Sequence, residues 1–315
     1  MRPPITRTAI IGTGVIGASW ASYFLARGLE VVATDPSPGA EAALREAVAQ
    51  HWHSMVTMGL AKGADPARLR FVATPEDAVQ DAQFVQENAP ERLDLKRELF
   101  ARLDAAAPPT AILASSTSTI MVSQFQDACA RHPGRVVLGH PFNPPHLVPL
   151  VEVAGGTQTS AEAVQRAMAF YRAIGKHPIH LKREIRGHVA NRLQAALWQE
   201  AFNLVQAGVA SVADVDAAIA HGPGLRWALL GPFLNLHLSG GAGGIGALFE
   251  KPLWAATEGM WRDLGTVHVD AALGAEVAAG VAQELAPHDQ AEMLRQRDAT
   301  LLALLQLKAA ATELP

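Results

Sequence analysis

A glycine-rich loop near the start of the chain constrains the fold more than any other feature. The apolar residues 8–11 lead into residues 12–17, which read GTGVIG, and helix-forming residues follow over 18–27. The loop therefore stands where a strand meets a helix. In such a loop the first glycine permits the tight turn, the second lets a pyrophosphate approach the backbone, and the third allows close packing of helix on strand. Because the helix N-terminus adds oriented N–H groups, the sequence predicts a dinucleotide-binding loop.

An acidic residue at the end of the second predicted strand adds specificity to this prediction. Asp35 lies 23 residues after Gly12, near the spacing of a carboxylate that hydrogen-bonds a ribose 2′-hydroxyl. Pro36 follows it without an adjacent arginine for a 2′-phosphate, so we expect NAD in preference to NADP. The alternatives are an ordinary tight turn beside a solvated carboxylate, or a similar loop in a methyltransferase or flavoprotein. The predicted cofactor-binding residues of this region are Gly12, Gly14, Val15, Ile16, Gly17 and Asp35.

The order of predicted elements indicates two domains. Up to about residue 185, β-branched runs alternate with helical stretches, which predicts a doubly wound α/β domain of Rossmann type with a parallel sheet covered on both faces. After Gly187 apolar residues recur every three or four positions, and Ser211 with Asp214 resembles a capping box. We expect an α/β nucleotide-binding domain over residues 1–186 and an all-helical domain over 187–315. Strands are predicted at residues 8–12, 30–35, 70–73, 84–88, 111–116, 135–140, 150–154 and 177–181.

Composition excludes several classes of partner. The 26 Lys and Arg against 30 Asp and Glu give a net charge of −4 without a basic block, so nothing indicates binding to nucleic acid or to an acidic membrane. Cys129 is the only cysteine, which excludes an intramolecular disulfide and a thiolate zinc site and suits a reducing compartment. No apolar run reaches spanning length and no signal peptide is evident. We therefore expect a cytoplasmic protein that acts on a small molecule.

Two residues on neighbouring predicted strands are candidate catalytic groups. His140 ends an apolar strand, and Glu152 lies between Val151 and Val153. A carboxylate between two valines is expected to face the interior, where an unpaired charge costs several kcal/mol. If the connecting loop brings His140 to it, the pair gives an oriented and more basic imidazole. The alternative is that His140 caps the loop while Glu152 pairs with an arginine.

Four motifs together carry a resemblance to a known family. The glycine loop is followed, in order, by SSTST, by GHPFNP with LVEV, and by GHVANR. This set resembles the 3-hydroxyacyl-CoA dehydrogenase family over nearly the whole chain. Residues 87–96 (ENAPERLDLK), 149–156 (PLVEVAGG) and 224–227 (GLRW) are most similar to its branch that contains L-carnitine dehydrogenase and the lambda-crystallin type L-gulonate dehydrogenases.

The resemblance implies an NAD-dependent dehydrogenase that oxidises the C3 hydroxyl of a small 3-hydroxy acid, as a homodimer formed through the helical domain. Glu91 and Lys96 match positions that line the dinucleotide in relatives, although from the residues alone they read equally as a surface ion pair. The resemblance implies four catalytic positions: the base His140, its orienting carboxylate Glu152, the substrate-oxygen serine Ser118 and the amide partner Asn191. From the residues alone Ser118 reads equally as a turn cap, and Asn191 as a solvated helix residue.

Departures from the family pattern bear on the substrate. Pro141 stands where many CoA-using relatives have an aromatic residue, and Gly231-Pro232-Phe233 stands where carnitine dehydrogenases read Gly-Thr-Phe, which argues against carnitine itself. Over residues 36–70, where CoA enzymes carry a lysine-rich hairpin, the four basic and three acidic residues leave a net charge of only +1. We therefore expect a free acid in place of a CoA thioester.

Residues of the helical domain are candidates for binding that acid. Arg226 offers a planar fork suited to a carboxylate, with Trp227 beside it, unless Arg226 pairs with a surface acid and Trp227 is core. Trp198 and Trp227 facing a quaternary ammonium would instead favour L-carnitine. The remaining alternatives are a 3-hydroxyacyl-CoA dehydrogenase proper and a crystallin-like NAD-binding protein. His146 lacks the spacing of a metal ligand, so we expect no metal.

Overall fold

The computed structural model describes residues 4–314 of the chain. Within them one sheet is built from the strands β1 (Arg7–Ile11), β2 (Glu30–Thr34), β3 (Leu69–Phe71), β4 (Phe84–Glu87), β5 (Ile112–Ser115), β6 (Val136–Pro141), β7 (Leu150–Gly155) and β8 (His177–His180). Their order across the sheet is β3-β2-β1-β4-β5-β6-β7-β8. All the strands predicted from the sequence are therefore confirmed, with ends that differ by one or two residues.

Helices alternate with these strands in the first part of the chain and predominate after β8, which confirms the predicted fold class. They are α1 (Val15–Ala26), α2 (Ala40–Thr57), α3 (Pro75–Val79), α4 (Leu93–Ala106), α5 (Ala161–Ala173), α6 (Ala190–Gln206), α7 (Val212–Ala220), α8 (Pro223–Trp227), α9 (Pro232–Ser239), α10 (Gly244–Phe249), α11 (Pro252–Asp263), α12 (Ala271–Leu285) and α13 (Gln290–Ala310).

The direction of the last two strands differs from the sequence prediction. Neighbouring strands from β3 to β6 are parallel, but β7 pairs antiparallel with β6, and β8 runs parallel to β7. The sheet is mostly parallel, as predicted, and departs from the parallel arrangement here because residues 142–149 join β6 to β7 without a crossover helix, so the chain turns straight back. The reversal places His140 opposite Glu152 in the ladder.

Apolar side chains cover both faces of the sheet. On one face Ile11 and Leu113 belong to a buried cluster with Phe100 of α4. On the other face the rings of Phe84 and Phe170, from β4 and α5, stack with centroids 4.1 Å apart. Strands buried on both sides in this way need continuous apolar runs, and such runs predict β1 and β4 to β6 from the sequence.

The chain divides into two compact units, Met1–Arg192 and Leu193–Pro315, and the division falls inside α6. The second unit is helical. Within it the Ser211 hydroxyl accepts a hydrogen bond from the Asp214 N–H at the start of α7, as the sequence predicted. Of the helices in residues 4–314, none combines the length and hydropathy needed to span a bilayer.

Candidate active site

The glycine loop has the geometry that its sequence predicts. Gly12 has φ +84°, and a Cβ there would lie 2.9 Å from the carbonyl carbon of Asn88. A Cβ at Gly17 would lie 1.9 Å from the Gly12 carbonyl oxygen. Around Gly14, by contrast, a Cβ would meet no described atom within 4 Å, so the loop leaves open space at the N-terminus of α1. That space suits a pyrophosphate, which the free N–H groups of the first helical turn are oriented to bind.

A cleft beside the loop has room for the adenosine half of a dinucleotide. Its volume is about 490 Å³, and Gly12, Gly14 and Asp35 are among the residues that line it. Asp35 accepts hydrogen bonds from the N–H groups of Thr13 (2.8 Å) and Ser37 (2.9 Å). Burial acts to raise the pKa of Asp35, but these donors outweigh it and hold that pKa below its ordinary value. An ionised carboxylate with two oxygens keeps lone pairs for ribose hydroxyls.

The residues of the first helical turn complete this end of the cleft. Val15 and Ile16 begin α1 directly after Gly14, and the Val15 side chain is 74% exposed. Neither side chain has a polar group, so any contribution to a dinucleotide comes from the backbone N–H groups. Loop, cleft and Asp35 thus fit NAD: Gly14, Val15 and Ile16 would face the pyrophosphate and Asp35 the ribose.

The carboxyl end of β6 and the amino end of the antiparallel β7 bring together a buried histidine and a buried carboxylate. Nδ1 of His140 lies 2.8 Å from Oε2 of Glu152. Both side chains are almost fully buried. An arginine partner for Glu152 is therefore wrong, since its hydrogen bonds go to His140 and to backbone groups. The strand register that sets this contact pairs the two residues directly.

The second oxygen of Glu152 is held by the start of α6. Oε1 accepts hydrogen bonds from the N–H groups of Val189 (2.8 Å) and Ala190 (3.0 Å). Burial acts to raise the pKa of Glu152, but the contact with His140 and the two N–H donors outweigh it, so that pKa lies below its ordinary value. Glu152 is thus an anion at neutral pH, and the proton between the two side chains belongs to Nδ1 of His140.

A second histidine, which the sequence reasoning did not single out, lies against this pair. The His188 ring centroid is 5.0 Å from that of His140, and its Nε2 lies 3.0 Å from the carbonyl oxygen of Thr117. His188 belongs to the GHVANR motif, which was used only to locate Asn191. The available signal was a histidine that follows a glycine directly before a helix.

The loop after β5, which carries Ser118, is fastened by Glu91. Oε1 of Glu91 accepts from the N–H of Ser118 (2.9 Å), the N–H of Thr119 (2.7 Å) and the hydroxyl of Thr117 (2.7 Å). Burial acts to raise the pKa of Glu91, while these donors and Lys96 hold it below its ordinary value. Glu91 therefore shapes the Ser118 segment, whatever it contributes to a dinucleotide.

The surface-pair alternative for Lys96 is wrong. Its side chain is 1% exposed, and Nζ donates to Glu87 Oε1 (2.8 Å) and Oε2 (3.1 Å). Glu91 Oε2 lies 3.8 Å from the same ammonium. The pair between Lys96 and Glu87 thus fixes the end of β4 next to the Ser118 loop.

The remaining predicted residues occupy separate places. Asn191 is half-buried in the first turn of α6. In the second unit Arg226 and Trp227 end α8 with exposed side chains, so Trp227 is not core, and among the described residues no carboxylate pairs with Arg226. Trp198, in α6, is 53% exposed. Within residues 4–314 no cluster of three or more His, Cys, Asp or Glu is arranged for a metal ion.

Comparisons with known proteins match both parts of the chain. Residues 7–185 match the family described as 3-hydroxyacyl-CoA dehydrogenase, NAD binding domain, and residues 187–284 match 3-hydroxyacyl-CoA dehydrogenase, C-terminal domain. The chain is 48% identical over 297 residues to L-carnitine dehydrogenase of Pseudomonas aeruginosa, covering 94% of this chain and 92% of that protein. It is 47% identical over 302 residues to L-carnitine dehydrogenase of Streptomyces griseus, covering 96% and 90%.

A solved structure extends this similarity. The crystal structure of 5-formyl-3-hydroxy-2-methylpyridine 4-carboxylic acid 5-dehydrogenase, an NAD⁺-dependent dismutase, matches with a TM-score of 0.83 and 27% identity. The match covers 97% of this chain and 99% of that one. The shared fold therefore extends through both parts of the molecule.

Proposed function

The chain belongs to the 3-hydroxyacyl-CoA dehydrogenase family of NAD-dependent dehydrogenases, and we propose that it oxidises the C3 hydroxyl of L-carnitine or a closely similar free 3-hydroxy acid. The observation that carries the chemical part is the contact between His140 and Glu152 at the carboxyl end of β6. Carboxyl ends of parallel strands meet at one edge of the sheet, the edge that carries the glycine loop. Base and cofactor loop therefore belong to the same side of the domain.

The residues divide the reaction between them. Bound NAD supplies the acceptor for the hydride that leaves C3. Because Nδ1 of His140 donates to Glu152, its Nε2 has the free lone pair and takes the proton of the substrate hydroxyl. The anionic Glu152 then balances the charge of the imidazolium. Ser118 holds the substrate oxygen and Asn191 orients the histidine or that oxygen, as the family resemblance implies.

The identity of the relatives favours L-carnitine within the class of free 3-hydroxy acids. Proteins named L-carnitine dehydrogenase are 43% to 48% identical to this chain over more than nine-tenths of its length. The departure at Gly231-Pro232-Phe233 has a structural reason that does not involve the substrate. Pro232 is the first residue of α9, where proline is favoured because its missing N–H has no partner in a helix anyway.

Exposed side chains of the second unit have the chemistry that each end of a carnitine molecule requires. The Arg226 guanidinium suits the carboxylate, since a planar fork binds two oxygens at once. The exposed indoles of Trp198 and Trp227 suit a trimethylammonium group through cation–π attraction. A CoA thioester, by comparison, carries phosphates for which residues 36–70 offer a net charge of only +1.

The deciding experiment measures kcat/KM by the absorbance of reduced nicotinamide. We expect L-carnitine to exceed 3-hydroxybutyrate, L-gulonate and 3-hydroxybutyryl-CoA, with D-carnitine inactive as the stereochemical control. A preference for 3-hydroxybutyrate or L-gulonate would be consistent with oxidation of a free 3-hydroxy acid but would overturn the proposed recognition of a trimethylammonium group. A preference for the thioester would overturn the assignment to free acids.

The second unit also supports the homodimer that the family resemblance implies. Its helices expose large apolar side chains, with Phe233 76% and Leu307 70% exposed. Where such side chains form a continuous surface, that surface marks an interaction site, and a second copy of this chain would cover it. We expect light scattering after size exclusion to give twice the chain mass of 33.4 kDa. A mass that stays at one chain across concentrations would contradict the homodimer.

A further inference from the structure

His188 has a backbone conformation that side chains other than glycine rarely adopt. Its φ is +54°, and Gly187 before it has φ +78°. His188 is nevertheless 2% exposed, with its ring packed inside the first unit. A left-handed conformation at a non-glycine residue is strained and persists only where the surroundings fix it. Such residues concentrate at functional sites.

The left-handed turn aims two backbone donors at the catalytic carboxylate. The next two N–H groups, of Val189 and Ala190, both donate to Oε1 of Glu152 at 2.8 and 3.0 Å. They lie at the N-terminus of α6, where unpaired N–H groups and the helix dipole favour an anion. The backbone at Gly187 and His188 therefore fixes Glu152, and through it the ring of His140.

The side chain of His188 fixes a different part of the site. Its Nε2 lies 3.0 Å from the carbonyl oxygen of Thr117, the residue before Ser118. A carbonyl oxygen only accepts, so Nε2 of His188 carries the proton and donates. The carboxylate of Glu91 holds the same segment from its other side, through the hydroxyl of Thr117 and the N–H of Ser118.

His188 also remains uncharged beside the base. Burial lowers the pKa of His188 and the nearby His140 lowers it further, while the contact with Thr117 and the carboxylates of Glu152 and Glu91 act in the opposite direction. The pKa of His188 therefore lies below the ordinary value for histidine. When His140 gains a proton, therefore, the adjacent ring adds no second positive charge, and Glu152 balances a single imidazolium.

We propose that His188 is a positioning residue that holds the His140–Glu152 pair and the Ser118 segment in a fixed mutual arrangement. The backbone of His188 orients Glu152. Its Nε2–H donates to the carbonyl of Thr117 and so holds Ser118 where it and His140 can contact the same substrate oxygen. The inference rests on the proposed roles of His140 and Ser118. In addition, His188 connects these two residues, and the connection depends on the hydrogen-bond donor of its side chain.

The experiment compares a variant that retains the donor with two that lose it. Gln places an amide N–H near the position of the histidine Nε2, whereas Leu and Met are similarly long and have no donor. All three side chains are unbranched at Cβ, so the backbone strain is comparable. We expect His188→Gln to retain kcat within about threefold, and His188→Leu and His188→Met to lose about tenfold, the value of one hydrogen bond. The dissociation constant for NAD should be unchanged, and kcat should follow the presence of the donor and not the melting temperature, which a general structural defect would not allow.

The outcomes separate this inference from the proposed function. If His140→Ala retains turnover, the proposed base is wrong. If His140→Ala is inactive while His188→Leu equals the wild type, or while Gln and Leu are equally impaired, the role of His188 is overturned and the base stands. Should the apolar variants not fold, His188→Gln alone decides: a kcat near the wild-type value supports the donor, and a loss beyond tenfold overturns it.

Discussion

His140 and Glu152 face each other in register across two antiparallel strands, with Nδ1 of the histidine 2.8 Å from Oε2 of the carboxylate. The partners are twelve residues apart in sequence, and the contact exists because the chain reverses direction after β6. The carboxylate is itself fixed by the first N–H groups of α6. The imidazole is thereby held in one tautomer, with Nε2 available to a substrate.

Removal of the base should abolish most of the turnover. We expect His140→Ala to lower kcat by about 10²–10⁴-fold, the usual contribution of a positioned base, without changing the dissociation constant for NAD. The glycine loop and Asp35 do not depend on this side chain. Steady-state kinetics and titration of the reduced cofactor by fluorescence provide both measurements. His132→Ala, at an exposed histidine, is the matched control and should be silent.

Neutralising the carboxylate should change the pH profile as well as the rate. In Glu152→Gln the imidazolium loses its balancing charge, and an amide N–H facing Nδ1 favours the wrong tautomer. We expect kcat to fall by about 100-fold or more. The dependence of the oxidation rate on pH should also differ from that of the wild type, because the carboxylate charge beside the base is gone. An unaltered profile in the variant would remove Glu152 from the mechanism.

Cofactor preference should depend on Asp35. Its ionised carboxylate repels the 2′-phosphate of NADP and accepts the ribose hydroxyls of NAD, so the wild type should have the higher kcat/KM with NAD. Asp35→Ser should reduce the ratio of the two kcat/KM values. Asp81→Ser, at an exposed aspartate before β4, should leave the ratio unchanged. A wild type that is more efficient with NADP would refute the placement of Asp35 on the ribose.

Substrate carboxylates should depend on Arg226. If its guanidinium binds the acid, Arg226→Ala should raise KM for L-carnitine and for 3-hydroxybutyrate by about 10-fold or more, the value of a charge-assisted hydrogen bond, with little change in kcat. Arg262→Ala, at another exposed arginine of the second unit, is the control. An unchanged KM for every free acid would show that Arg226 serves no carboxylate.

A buried ion pair away from the site should govern acid stability. Asp104 pairs with Arg135 at 2.8 Å and accepts from the N–H of Arg131. Burial acts to raise the pKa of Asp104, but these donors hold it below its ordinary value. A carboxylate of this kind stabilises the fold above its unfolded pKa and loses that effect as pH falls through the folded pKa.

We therefore expect Asp104→Asn to lower the free energy of unfolding by about 3 kcal/mol at neutral pH, as for other broken buried pairs. The difference from the wild type should begin to shrink as the pH drops below about 4, the ordinary pKa of an unfolded aspartate, and disappear below the lower pKa of the folded protein. Urea titrations across pH provide the measurement, with exposed Asp81→Asn as the control. A difference that persists undiminished in acid would contradict the assigned charge.

Local sequence is sufficient to predict the positions of the strands and the cofactor loop. Strand positions follow from local runs of buried apolar residues, and the roles of Gly12 and Gly17 follow from steric rules that act within a few residues. The position of Asp35 at the end of β2 is predictable for the same reason, because neighbouring residues determine where that strand ends. The sequence also predicts that Glu152 has a polar or charged partner, because the two flanking valines indicate that its carboxylate is buried.

Which side chains contact one another depends on how distant segments of the chain pack together. Packing reverses the direction of the last two strands and buries Lys96 against Glu87. It also places the ring of His188 between His140 and the carbonyl of Thr117. The partners in that last contact are 71 residues apart, and the contact depends on a left-handed φ that histidine seldom adopts. Local propensity does not predict such a conformation, because the energy that maintains it comes from packing and hydrogen bonds between distant segments.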